Sequence, residues 1–297
     1  MILNKTISLP YIFNQIKYDI FIVLLVGLTT NIISFRYIHL LPDMPLTIPS
    51  FLGTAISILL SFKMNQSYDR WWEARKVWGA IVNDSRSLVI QLQSFLGFTG
   101  LEDVKTIAYR QMAWCYALGR SLRGQNPLED AEQFISKPEL NVISAHNNKP
   151  LAILQLNAKD IRALRERGKI DTFTQLQLDD TLTRLTDSMG KAERINGTIF
   201  PSTYRQFLYF TIYLFVVTLA ISLKDVSMIF EIPLLLLIST SFFLIQKSAS
   251  QLQDPFRNRP SDVSVTAIAR TIEINIRQLL GETNVPEPLK PIGFYIL

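Results

Sequence analysis

The chain has 297 residues, 48% of them apolar and 11% aromatic, with a positive mean hydropathy, which favours a membrane protein over a soluble one. One cysteine, Cys115, and two histidines, His39 and His146, leave no material for a disulfide framework, a Cys-rich zinc site or a Cys–His dyad. Thirty Lys and Arg against 25 Asp and Glu give a formal charge of +5, but the signs are interleaved without a run of five or six, which argues against a nucleic-acid partner.

The opening residues, MILNKTISLPYIFNQIKYD, lack an apolar core followed by a small-residue cleavage site, so no removable signal peptide is expected. Four apolar runs follow: Ile20–Phe35, Pro49–Phe62, Phe207–Leu223 and Ile232–Ile245, the last with Pro233 placed for a first helical turn. Each run is shorter than the roughly 20 residues that cross a bilayer. Buried core helices are therefore one reading. Two pairs of such runs separated by a polar block are hard to arrange around a soluble core, however, and tilt or snorkelling of Lys17, Arg36, Lys63 and Lys247 accommodates short spans. Intramembrane polar residues such as Thr29, Asn31, Thr54, Ser57, Ser61, Ser239 and Thr240 are of the types that join helices. Most cations lie between Lys63 and Arg205 or after Lys247, so the positive-inside rule puts both termini and the central block of a multi-pass protein in the cytoplasm.

The expected organisation is 1–69 with the first two spans, 70–205 as a helical cytoplasmic region, 206–247 with the last two spans, and 248–297 as a cytoplasmic helix with a Pro-rich tail. Within the block, Thr99-x-x-Glu102 has capping-box spacing, and Val104, Ala108, Met112, Cys115 and Leu118 recur at helical period. Gly124–Pro150 reads as an irregular connection. Further helices are expected over Leu151–Arg167 and Thr172–Asn196, the second with a seam of Leu178, Leu182, Leu185, Met189 and Ala192. A last helix, capped by Ser261 or Asp262, carries an Ile268–Ile272–Ile276–Leu279 stripe and ends at Gly281. Pro286, Pro288 and Pro291 then impose an extended arm.

No nucleophile–base pair, metal cluster or glycine-rich phosphate loop is present in the pattern, so an enzyme is not expected, nor a cofactor or a metal. Asp179 and Asp180 are neighbours on one helix and point apart; Glu129, Asp130 and Glu132 read as a solvated patch. What stands out is GTAISILLSFKMNQSYDRWWEARKVWG, Gly53 to Gly79, an apolar run that continues into charge and aromatics without a breaker. Thr54, Ile58 and Phe62 stack along one face at steps of four, beside a small-residue face of Gly53, Ser57 and Ser61. That stripe could line a path or could face lipid, with Thr54 bonded to its own helix. Trp71, Trp72 and Glu73 read as structural, the aromatics anchoring depth and Glu73 pairing with Arg70, Arg75 or Lys76 across helices or subunits.

This stretch resembles the second-helix signature of the bestrophin family, above all its bacterial and plastid branch. RINGTIFPSTY before the third run, Asp254-Pro-Phe after the fourth, and ARTIEINIRQLLGE with its Pro-rich tail match in the same order. The resemblance covers nearly the whole chain. It implies an all-α membrane fold, with four transmembrane helices and a helical cytoplasmic region per subunit, in a homopentameric ion channel. The family's neck positions fall on Thr54, Ile58 and Phe62, and a second constriction on Phe173 and Leu176. Monovalent anions of the chloride type, sister copies and the bilayer are the implied partners. A monovalent cation channel of the same fold and a non-conducting membrane scaffold are the alternatives. Thr54 stands where many relatives are apolar. The acid-rich calcium clasp of animal members is not matched, since QLQDPFRNRPSD offers only Asp254 and Asp262 among Arg257 and Arg259.

Overall fold

The computed structural model describes residues 1–2, 7–37, 41–198 and 201–297, with only the backbone described for Phe98 and Thr99. Among the described residues there are nine α-helices: α1 (Leu9–Arg36), α2 (Thr47–Leu96), α3 (Leu101–Leu122), α4 (Lys137–Ser144), α5 (Lys149–Glu166), α6 (Thr172–Gly197), α7 (Ser202–Ser222), α8 (Met228–Leu252) and α9 (Val265–Leu279). Two short 3-10 helices, Gly97–Gly100 and Ala131–Gln133, and isolated β-bridges occur beside them. The chain divides into two compact units, Asn4–Trp71 with Ile199–Asp254, and Met1–Leu3 with Trp72–Thr198 and Pro255–Leu297.

The first unit is the membrane unit. Four helices are long and apolar enough to cross a bilayer: α1, α2, α7 and α8, of 28, 50, 21 and 25 residues. The apolar runs are shorter because each helix extends beyond its run into polar flanks. At a rise of about 1.5 Å per residue, lengths above 20 residues cover the ~30 Å hydrocarbon layer. Pro233 is not in the first turn as expected. It lies inside α8, which begins at Met228, so the carbonyl of Ile229 loses its i+4 donor.

Ile16, Val23, Ile56, Leu60, Ile212 and Phe243 belong to the core of this unit. Close approach of α1 and α8 depends on Gly27, where a Cβ would lie 3.1 Å from Leu235 Cδ2. The outer surface is apolar as well: Phe21, Ile32, Phe35, Phe210 and Leu237 are all more than 60% exposed, the surface that lipid would solvate.

The second unit is polar outside and dry within. Trp78, Ile81, Leu88 and Leu92 of α2 are fully buried, as are Val104, Ala108, Met112, Cys115 and Leu118 of α3. The seam of α6 is buried as its spacing predicts. α3 starts with Gly100 at its N-cap; the expected cap from the Thr99 side chain lies outside the described residues. The connection 124–150 is more ordered than its composition suggests, for it contains α4. There the Glu139 carboxylate accepts from the Ser136 N–H at 3.2 Å and the Ser136 hydroxyl at 2.7 Å, a local closure that outweighs poor intrinsic propensity.

Arg110 spans elements, bonding to Glu139 and, at 2.5 Å, to Asp160 of α5. The cap of α9 is Ser264, not Ser261 or Asp262. Asp262 instead accepts the Arg259 N–H at 3.0 Å, closing the preceding turn. The tail is non-helical and folds back on its own unit: Leu297 O accepts the Ala267 N–H at 2.9 Å.

Candidate functional site

α2 passes through Phe62 to Trp72 without interruption because neither Gly nor Pro occurs between Gly53 and Gly79. Its membrane half has two faces of opposite character. Ile56, Leu60, Lys63 and Ser67 are buried and point into the unit. The Leu59 carbonyl accepts the Tyr204 hydroxyl at 3.1 Å. Lys63 Nζ donates to Gln246 Oε1 at 2.9 Å and Ser250 Oγ at 3.1 Å. One turn pair further on, Arg70 Nε donates to the carbonyl of Gln253 at 2.6 Å. Gln253 is the C-cap of α8, so both cations sit at the end where a helix leaves carbonyls unpaired and its dipole is negative. Lys63 therefore does not snorkel; its ammonium has protein acceptors within reach.

The other face is exposed and carries no ionisable group from Thr54 to Phe62. Ile58 is 54% and Phe62 62% exposed, and Thr54 lies on the same stripe with its hydroxyl donated to Ser50 O at 2.9 Å. That internal bond occupies the proton and leaves the oxygen lone pairs outward. The small-residue face divides. Gly53 is filled within the protomer, where a Cβ would stand 3.3 Å from Phe215 Cε2 of α7. Ser57 and Ser61 border an apolar hollow of about 360 Å³ with Leu60, Met64, Phe242 and Ile245. Ser57 donates to Gly53 O at 2.8 Å, and Thr29 and Ser241 likewise bond within their own helices. These hydroxyls, expected to join helices, thus satisfy their own i−4 carbonyls, the nearer acceptors, whereas the buried Ser239 hydroxyl meets no hydrogen-bond partner among the described residues.

Helix-joining polar contacts come from Asn31, one of the residues expected to make them, and from Asp19, Tyr213 and Glu231, which the sequence pattern did not single out. Tyr213 donates to Asp19 at 2.8 Å, with Lys247 at 4.0 Å from the same carboxylate. Asn31 donates to Glu231 at 3.0 Å. Asp19 and Glu231 each directly precede an apolar run, and carboxylates in a membrane helix are kept only where protein covers them.

Phe173 and Leu176 lie in the first turns of α6, in the polar unit, 82% and 60% exposed. Asp171 fixes that start, accepting the Thr174 N–H at 2.7 Å, a bond that holds its carboxyl below the usual range. Trp71 stacks on Tyr68 with centroids 6.1 Å apart. Glu73 pairs at 2.6 Å with Arg194 of α6, and Arg70 is turned to α8. Among the described residues no group of three or more His, Cys, Asp or Glu is placed to hold a metal ion. Asp262 is 1% exposed and engaged by its own turn.

Comparison with known proteins adds independent weight. A voltage-dependent anion channel-forming protein of Ralstonia nicotianae is 26% identical over 283 residues, 95% of this chain and 92% of the relative. The voltage-dependent anion channel-forming protein YneE of Escherichia coli is 31% identical over 262 residues, 88% and 85% of the two chains. The crystal structure of a bacterial bestrophin homolog from Klebsiella pneumoniae is similar at a TM-score of 0.85 and 29% identity, covering 90% of this chain and 99% of that one. The family model described as Bacterial/Fungal Bestrophin protein matches residues 7–278, and this chain, a helical membrane protein, belongs to the bestrophin family.

Proposed function

We propose that the chain forms a homopentameric channel that passes monovalent inorganic anions of the chloride type. The observation that carries this reading is the exposed, uncharged stripe of Thr54, Ile58 and Phe62 on a helix whose opposite face is anchored by Lys63 and Arg70. An apolar stripe left outward in one subunit either meets lipid or meets its copies around an axis. Five copies about a cyclic axis would bring five Ile58 and five Phe62 side chains into a throat that excludes water when narrow and conducts when slightly wider. Phe62 rings turned edge-on present their positive rim to an anion, so permeation needs no fixed charge. The names of the Ralstonia and Escherichia relatives, channel-forming proteins and not enzymes, support the anion assignment.

In this reading Thr54 wets the entrance, Ile58 and Phe62 gate, and Phe173 with Leu176 form a second, cytoplasmic constriction. The block 70–205, the segment 248–297 and both termini are cytoplasmic, and the protein sits in the inner membrane. Planar-bilayer recording of the purified protein under a KCl gradient tests it. A reversal potential near the chloride equilibrium value is expected. A value at the potassium equilibrium potential assigns a cation channel instead, and no current from a folded pentamer leaves a scaffold.

A further inference from the structure

The outward stripe of Thr54, Ile58 and Phe62 does not stop at Phe62. α2 continues unbroken to Leu96, and at about 100° per residue Asn65 and Asp69 fall within the arc that those three side chains occupy. Both are exposed. Asp69 stands seven residues beyond Phe62, about 10 Å further along the helix axis.

The charges in this part of α2 are sorted by face. Lys63 is fully buried and donates to Gln246 and Ser250. Arg70 is half-buried and donates to the carbonyl of Gln253. Asp69 lies between these two cations in sequence but points away from both, exposed on the stripe, and its carboxylate has no ion-pair partner among the described residues. The other carboxylates on the helices of this unit that meet apolar runs, Asp19 and Glu231, are covered by protein, as acids beside lipid must be. An uncovered carboxylate on the stripe therefore needs water in front of it, not acyl chains.

We propose that Asp69 is a selectivity-determining residue of the conduction path, with five copies forming a ring of carboxylates at the cytoplasmic mouth of the neck. This inference rests on the channel reading. Such a ring repels anions in proportion to their charge, so it rejects sulfate or hydrogen phosphate more strongly than chloride. Lys63 and Arg70 do not cancel it, because their charges are directed into the protomer. The neck then sets whether ions pass, and Asp69 sets which charges reach it from the cytoplasm.

The experiment is planar-bilayer recording of wild type and Asp69→Asn under KCl and potassium sulfate gradients. In Asp69→Asn the reversal potential should move toward the chloride value, with sulfate permeability gaining more than chloride. Anion current should rise about threefold, the change that a potential of about one kT makes in local ion concentration. Both effects should shrink at about 1 M salt, where the screening length is only ~3 Å. Glu166→Gln, which removes the same charge from an exposed pair with Arg162, should change neither. Asp69→Cys gives a second route: a cationic methanethiosulfonate should raise chloride current and an anionic one should return it to the wild-type level, since Cys115 is buried. The shifts are read against wild type, so their sign holds whichever ion the wild type prefers. A cation-selective wild type thus contradicts the chloride assignment and not this inference, whereas a wild type without current overturns both. An unchanged reversal potential in Asp69→Asn pentamers, a shift toward potassium, an equal effect at 1 M salt, or the same response to both reagents would overturn the role of Asp69. Loss of the pentamer in both Asp69 variants would overturn it too, by making the residue an assembly contact.

Discussion

The two halves of α2 differ in what they bury and what they expose. From Thr47 to Trp71 the buried face holds Ile56 and Leu60 together with Lys63 and Ser67, and the exposed face holds Phe51, Ile58 and Phe62; from Trp72 to Leu96 the buried face is Trp78, Ile81, Leu88 and Leu92 with Ser85. One helix thus follows two solvent rules. In water an apolar face is driven inward, whereas in a bilayer the exterior is already apolar and the inside becomes the place for groups that need partners.

Substitutions in each half sharpen that contrast. Trp78→Ala, in the conventional half, should have the largest effect on stability, about 3–5 kcal/mol, because a fully buried indole leaves a cavity; a Tm within a degree of wild type would break the comparison. Lys63→Ala comes next, at about 2–3 kcal/mol, since Gln246 and Ser250 lose their donor in a buried setting. Thermal unfolding in detergent reads both, and a neutral Lys63→Ala would mean that the membrane half needs no polar anchor. Tyr213→Phe should lose about 1 kcal/mol through its bond to Asp19.

A smaller effect is acid dependence in the polar unit. Burial raises the Glu139 carboxyl, but Arg110 and Ser136 outweigh it and hold the net value below normal. With the folded value depressed, this contribution is present above the unfolded value near 4.5 and is lost as pH falls through the folded one. Tm should therefore decline below about pH 4.5, and less steeply in Glu139→Gln.

How far the sequence reached follows the same division. Helix class, the four spanning helices and the seams of α3 and α6 are carried by period and composition, which act locally. Helix ends were less legible. Pro233 is interior to α8 because the helix starts in polar residues before the apolar run, and α4 closes through a Ser136–Glu139 contact within a segment of poor propensity. The stripe on α2 was visible as spacing, but spacing alone does not tell which neighbour a face meets. The partner of Glu73 was hidden for a related reason: Arg194 lies 121 residues away, and local pairing rules rank nearer cations first.

Ile58→Ala should change stability least, since its side chain is more than half exposed, yet it should raise single-channel conductance by widening the ring. The most direct test of the central claim uses Ile58→Cys. The native thiol, Cys115, is buried, and burial pushes it up to about 12, so it is silent to charged methanethiosulfonates. Such a reagent should abolish most of the current through Ile58→Cys channels while leaving Ile32→Cys, on the outer face of α1, unaffected. Full current after treatment of folded Ile58→Cys pentamers, or block at Ile32→Cys instead, would contradict the placement of the α2 stripe along the ion path.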